Sequence, residues 1–167
     1  LTLLLITCCS FSFAQGEANN WFFGYNAGVS FNSGTPTAIP NGQIHTNEGS
    51  ASISDPSGNL LFYTDGISVW NRNHQVMPGG NSTLNGNPSS TSSGLIVPSP
   101  GNSNIYYIFT VDEPSHNGSA SSNHGLNYTI VDMSLDGGNG DITQLNIPLI
   151  TYNTSDTLET RYKAAEK

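Results

Sequence analysis

The chain has 167 residues, only 10% of them charged, and carries a net charge of −8 with just four Lys or Arg. That length makes one domain, or a piece of a larger one. So few cations leave no basic patch for a nucleic-acid backbone and disfavour an anionic membrane surface, whereas the acidity suits the solubility of an exported protein. Its 18 Gly and 9 Pro lie among many Asn, Ser and Thr, between short runs of strand formers. Such a pattern points to an all-β protein with many tight turns, and an aromatic content of 10% can supply a core.

The apolar run Leu1–Phe13 ends in Ser12-Phe13-Ala14 and then Gln15. This is the pattern of a secretory signal, with cleavage expected after Ala14 and residues 15–167 as the mature region. The run is too short for a mature bilayer-spanning helix. No initiator Met and no basic n-region precede it, so the sequence is expected to begin inside the gene. A lipoprotein reading through Cys8 is disfavoured, because Thr7 is a poor residue before a lipidated Cys. Both cysteines, Cys8 and Cys9, fall in this leader, so the mature region has no disulfide to lean on.

Along the mature chain, Trp21–Tyr25 and Val29–Phe31 read as strands, and Thr35–Gly49 as a loop rich in Pro, Gly and Asn. The stretch Ala51–Pro78 holds the strongest local signals. Ala51–Ser54, the turn residues Asp55–Asn59, Leu60–Thr64, Asp65-Gly66 and Ile67–Asn71 form a strand, turn, strand, tight turn and strand. A two-residue Asp-Gly loop pairs Thr64 with Ile67, Phe62 with Val69 and Leu61 with Trp70. Leu60, Phe62, Ile67 and Val69 then share one face, and Leu61, Tyr63 and Trp70 the other. A sheet apolar on both faces must be covered on both.

His74–Asn87 reads as polar loop, Gly94–Pro98 as strand, Ser99–Asn104 as turn and Ile105–Val111 as a strand apolar on both faces. Glu113–Gly125 is a polar excursion. Leu126–Met133 is a strand, Leu135–Asp141 a Gly-rich turn, and Ile142–Ile150 a further strand or extended segment. Leu158–Lys167 alone has helix-forming composition, with a loop leading into another strand as the alternative. The strand, turn, strand pattern around Asn59 recurs around Asn104, 45 residues on. That offset is blade-sized, and stacked blades cover both faces of each small sheet. The expectation is therefore a partial β-propeller of two to three blades of antiparallel meander, incomplete at its C-terminus, with a β-sandwich as the alternative.

The segments WFFGYNAGVSFNSGTPTA, EGSASISDPSGNLLFYTDGISVWNRNHQVMP, GLIVPSPGNSNIYYIFTVD and LNYTIVDMSLDGGNGDI carry a resemblance. Together they cover most of Trp21–Ile142, and DGISVWNRNHQVMP is the most specific part. The chain resembles the N-terminal region of large exported Bacteroidetes proteins with a gliding-motility-associated (type B) C-terminal sorting domain. The resemblance implies a β-propeller, often followed by PKD or immunoglobulin-like modules, and export by the type IX secretion system through a sorting domain that lies outside this sequence. It also implies that Ala165-Glu166-Lys167 begins a further blade strand. It brings no catalytic residue set.

The residues give a matching absence of reaction chemistry. His45, His74, His116 and His124 have no metal-ligand spacing and read as surface loop histidines, and no GxSxG elbow is present. Asp132, Asp136, Asn139 and Asp141 set hard oxygen ligands among flexible glycines, as a calcium site needs, but in neither EF-hand nor GGxGxD spacing. The competing reading is a hairpin turn using Asp, Asn and Gly for positive φ. Asp55-Pro56-Ser57-Gly58 is likewise a turn. Asp65, Asp112 and Asp132 are the candidates for a carboxylate pair, each placed after a strand where a turn Asp is expected. Trp21, Trp70 and Tyr152 could stack on sugars, with core packing the expected role of Trp70.

No cofactor is expected beyond calcium as a candidate ion. The expected function is a non-catalytic, exported, cell-surface or extracellular region of a multidomain protein, binding a glycan or protein and with a link to gliding motility. The expected contacts are the loops Thr35–Gly49, His74–Asn87 and Glu113–Gly125. A secreted polysaccharide hydrolase and a structural spacer are the alternatives.

Overall fold

The computed structural model describes residues 16–87, 90–112 and 124–150. The leader, His116 and most of Glu113–Gly125, Tyr152, and the helix-or-strand segment Leu158–Lys167 lie outside the described residues. Among the described residues, ten strands form three antiparallel meanders in chain order: sheet I with β1 (Asn20–Phe23), β2 (Ala27–Ser30) and β3 (Thr37–Ala38), sheet II with β4 (Ala51–Ser54), β5 (Leu60–Thr64) and β6 (Val69–Asn71), and sheet III with β7 (Gly94–Pro98), β8 (Ile105–Val111), β9 (Leu126–Asp132) and β10 (Asp141–Ile150). None of the sheets closes on itself. The chain is all-β, as its turn-rich composition requires, and stacked open meanders are the layout of blades in an unclosed propeller and of layers in a sandwich.

Sheet II is the middle layer. Phe62 and Val69 on one face join Met77, Tyr106, Ile108, Val131 and Met133 in the main core against sheet III. Tyr63 on the other face joins Phe22 and Ile44 in a second core against sheet I, with Trp70 packed at its margin. Phe22 and Tyr63 stack at 4.3 Å, and Tyr63 and Trp70 at 5.6 Å. The expected two-sided burial of this hairpin is therefore present, and Trp70 packs where core packing was expected. The starts of β4 and β7 are pinned by Ser93, whose buried hydroxyl lies within hydrogen-bond reach of the Gly49 and Asp65 carbonyls and shares its one proton between them.

The hairpin loop differs from expectation. Thr64 pairs with Val69, Tyr63 with Trp70 and Phe62 with Asn71, so the loop is the four residues Asp65–Ser68 rather than Asp65-Gly66. The Asp65 carboxylate accepts from the N–H groups of Ile67 (2.9 Å) and Ser68 (2.7 Å), while Thr64 Oγ1 accepts from Gly66 and donates to the Ser68 carbonyl. These side chains stabilise a wider loop than Asp-Gly alone needs. The shift is two residues, so the facing of Phe62, Val69, Tyr63 and Trp70 survives, whereas Ile67 leaves the strand and Trp70 opposes Tyr63 instead of Leu61. Next to a register shift between Ile53 and Ser54, Leu61 joins the core of Phe62 while Leu60 packs on that of Tyr63, the reverse of the expected faces.

Sheet I meets sheet II through side chains rather than a strand ladder. Phe22 donates its N–H to Ser52 Oγ (2.9 Å) and accepts from Ser50 Oγ (3.0 Å) on its carbonyl. Buried Asn20 donates from Nδ2 to Ser54 Oγ and to the Gly58 carbonyl. Hydroxyls and an amide thus satisfy backbone groups that a neighbouring strand would otherwise take.

Candidate functional site

The strand ends decide where a concavity can form. β4 and β7 start together at Ser93, so their turns, Asp55–Asn59 and Ser99–Asn104, emerge side by side at the opposite end. The repeat seen in the sequence brings its two turns to one place. Between them lies a cleft of about 580 Å³, lined by both turns and by Glu17, Leu61, Arg72, Tyr106, Met133 and Gly138. Its wall mixes apolar surfaces, from Pro56, Pro98, Pro100, Leu61 and Tyr106, with carboxylate, guanidinium and amide groups.

The polar groups are held to different degrees. Asp55 Oδ1 accepts from the N–H of Ser57 and of Asn59, both at 2.9 Å, and Oδ2 accepts from Asn59 Nδ2 at 2.9 Å. Partial burial pushes the Asp55 carboxyl up, but these hydrogen bonds and the nearby Arg72 guanidinium outweigh it and hold the group below its ordinary value. Tyr106 is pushed up by burial first and then by the negative charges of Asp55 and Glu17. One carboxylate oxygen of Glu17, Oε2, is buried with no hydrogen-bond partner. Arg72 is exposed at the rim and is the one Lys or Arg among the described residues.

The carboxylates singled out in the sequence are not here. Asp65 is spent on its loop. Asp112 is 4% exposed and accepts from the N–H groups of His124 (2.5 Å) and Gly125 (3.2 Å). Burial is the largest influence on it and leaves its carboxyl above the ordinary range despite those bonds. Asp132 Oδ1 accepts from the N–H (2.9 Å) and Oγ (2.6 Å) of Ser134 at the surface, which lowers its pKa. The structure brings together Glu17 and Asp55 instead. No local motif marks Glu17, Arg72 or Tyr106; the repeated turn was the usable signal.

Of the calcium candidates, Asp132 and Asp141 face each other across β9 and β10, and Asn139 Oδ1 accepts from Asn73 Nδ2 at 2.9 Å. Asp136 sits at φ 48°, followed by Gly137, Gly138 and Gly140, also at positive φ. This is the geometry of a hairpin turn. Gly140 lies at φ 90°, a conformation that favours glycine, with the ends of the Met133 and Met77 side chains packed against it. Among the described residues no three His, Cys, Asp or Glu side chains converge as a metal-binding group.

Two of the expected binding loops are anchored in the cores by a few residues, with most of their other residues exposed or half-exposed. Ile44 within Thr35–Gly49 is fully buried under sheet II, and Met77 and Leu84 within His74–Asn87 belong to the main core. His74, expected at the surface, is half-buried with its Nδ1 3.0 Å from Tyr63 Oη, and burial lowers its pKa. His45 is exposed and meets the edge of Tyr25 at 4.2 Å, and His124 is half-exposed with Nδ1 3.9 Å from Asp112. Trp21 is 52% exposed on the outer face of sheet I. Comparisons with family profiles, with curated proteins and with solved structures gave no match to this chain.

Proposed function

We propose that the chain is a non-catalytic binding region of an exported, multidomain surface protein, and that its ligand is a glycan held in the cleft between the Asp55–Asn59 and Ser99–Asn104 turns. The observation that supports this reading is the cleft's lining. Proline surfaces suit the apolar faces of sugar rings, while Arg72, Asn102, Asn104 and the carboxylates suit their hydroxyls. The leader pattern and the resemblance to sorted exported proteins support export; a part in gliding motility is an expectation of that resemblance.

The cleft does hold two carboxylates, which is the feature a polysaccharide hydrolase needs. Asp55 argues against that use, since both its oxygens are committed to the turn by hydrogen bonds from Ser57 and Asn59. The test is a glycan array with the wild-type chain, followed by Arg72→Ala and Asn104→Ala on any glycan retained. Loss of binding by both variants, with intact substrate recovered, supports the proposal. Release of reducing ends that Glu17→Gln abolishes would replace it with the hydrolase reading. An array without hits would leave protein binding or a spacer role in its place.

A further inference from the structure

The three sheets stack with a constant logic. The face of sheet I carrying Phe22 packs on sheet II, and the opposite face of sheet II packs on sheet III, so each internal interface joins unlike faces. The stack therefore ends in two unlike apolar faces. At one end, alternation puts Trp21 and Phe23 on the side of sheet I away from Phe22, 52% and 41% exposed, with Phe31 against Trp21 at 5.6 Å. At the other end, Tyr107, Phe109 and Tyr128 lie on the outer face of sheet III with ring centroids 6.0–6.3 Å apart. With Leu149 they line a hollow of about 250 Å³, flanked by Leu95 at 58% exposure.

We propose that these two faces bind each other between copies of this chain, sheet I of one on sheet III of the next. Large contiguous apolar faces mark interaction sites, and the pairing extends the I-on-II and II-on-III packing already in the molecule. Trp21 is prepared for it. Its Nε1 donates to the Ala18 carbonyl at 2.7 Å, so no indole N–H is left unpaired when the ring is covered. The open hollow among Tyr107, Phe109 and Tyr128 accepts a projecting ring. None of the residues named on either face is charged, so desolvation costs little. Because the faces differ, the contact is heterologous and propagates to a ring or a filament.

Light scattering after size exclusion of the full chain, under reducing conditions, tests this together with Phe109→Asp and Trp21→Asp, each checked for a cooperative melt. The wild type is expected to associate, each variant alone to be monomeric, and an equimolar mixture of the two to form a dimer through its one intact pair of faces. Phe31→Lys and Leu95→Lys serve the same test if either first variant fails to fold. A monomeric wild type overturns the proposal, as would be seen if the rest of the polypeptide covers these faces. A Trp21→Asp variant that still associates points to sheet III on sheet III and overturns it, as does a mixture that stays monomeric.

Discussion

Sheets II and III are built from the same pattern of short apolar strands and Asp, Asn, Pro and Gly turns, yet they end in different environments. In β5 of sheet II four successive side chains, Leu61–Thr64, are buried, whereas β8 of sheet III alternates buried and half-buried along its length. The difference lies in what covers them. Sheet I and sheet III enclose sheet II, while the described residues cover only one face of sheet III. Burial on the second face is a property of neighbours, and a strand sequence apolar on both sides declares only that it can be covered.

The largest effect should separate the two sheets directly. Phe62 is fully buried and meets the edge of Tyr106 at 5.5 Å. Phe62→Ala should cost about 3–5 kcal/mol in urea unfolding, while Phe109→Ala on the outer face of sheet III should cost about 1 kcal/mol or less. Equal losses would mean that the outer face of sheet III is as enclosed as sheet II. A smaller effect should come from the pin between the sheets. Ser93→Ala removes the single hydroxyl donor shared by two buried carbonyls, those of Gly49 and Asp65, and should cost about 1–3 kcal/mol by the same measurement.

Two pH effects belong to the sheet I side of sheet II. Burial lowers His74, and its neutral ring can accept the Tyr63 O–H. The unfolded chain therefore takes up the proton first, so this contribution is whole above the ordinary imidazole range and declines as pH falls through it. The urea midpoint of the wild type should drop across that window, and His74→Asn, which tolerates the φ of 60°, should flatten the slope. At the alkaline end, burial raises Tyr63 to about 12. Stability from the protonated phenol is intact below the ordinary tyrosine value and is lost as pH rises toward that number. A tyrosinate absorbance titration should show Tyr63 and Tyr106 titrating late, with one late group fewer in Tyr63→Phe.

Most of the faces were legible in the sequence because alternation is a local property: Phe62 with Val69, and Tyr63 with Trp70, could be assigned without a fold. Leu60 and Leu61, by contrast, lie beside a register shift that alternation does not foresee. The loop length was not, because it depends on where the Asp65 carboxylate turns, and Asp-Gly permits several loops. The turns around Asn59 and Asn104 were visible as a repeat, but that they would flank a cleft required the starts of β4 and β7 to coincide. Glu17, Arg72 and Tyr106 reach that cleft from three distant parts of the chain and share no motif. His74 looked like a surface loop residue because its polar neighbours gave no hint of the Tyr63 hydroxyl.

The loop hydrogen bonds also bear on how the chain ages. Asp-Gly and Asn-Gly sequences are chemically fragile, since the glycine nitrogen can attack the preceding side-chain carbonyl and close a succinimide. At Asp65-Gly66 that nitrogen is engaged by Thr64 Oγ1 at 2.9 Å, and at Asn85-Gly86 by the Gly66 carbonyl at 2.9 Å. The two glycines sit so close that a Cβ on Gly86 would fall 2.2 Å from the Gly66 oxygen. The first site thus holds the nucleophile of the second, while Thr64 holds that of the first, and isomerisation at either requires its own hydrogen bond to open. Slow chemical wear at this corner therefore becomes a clock for local opening.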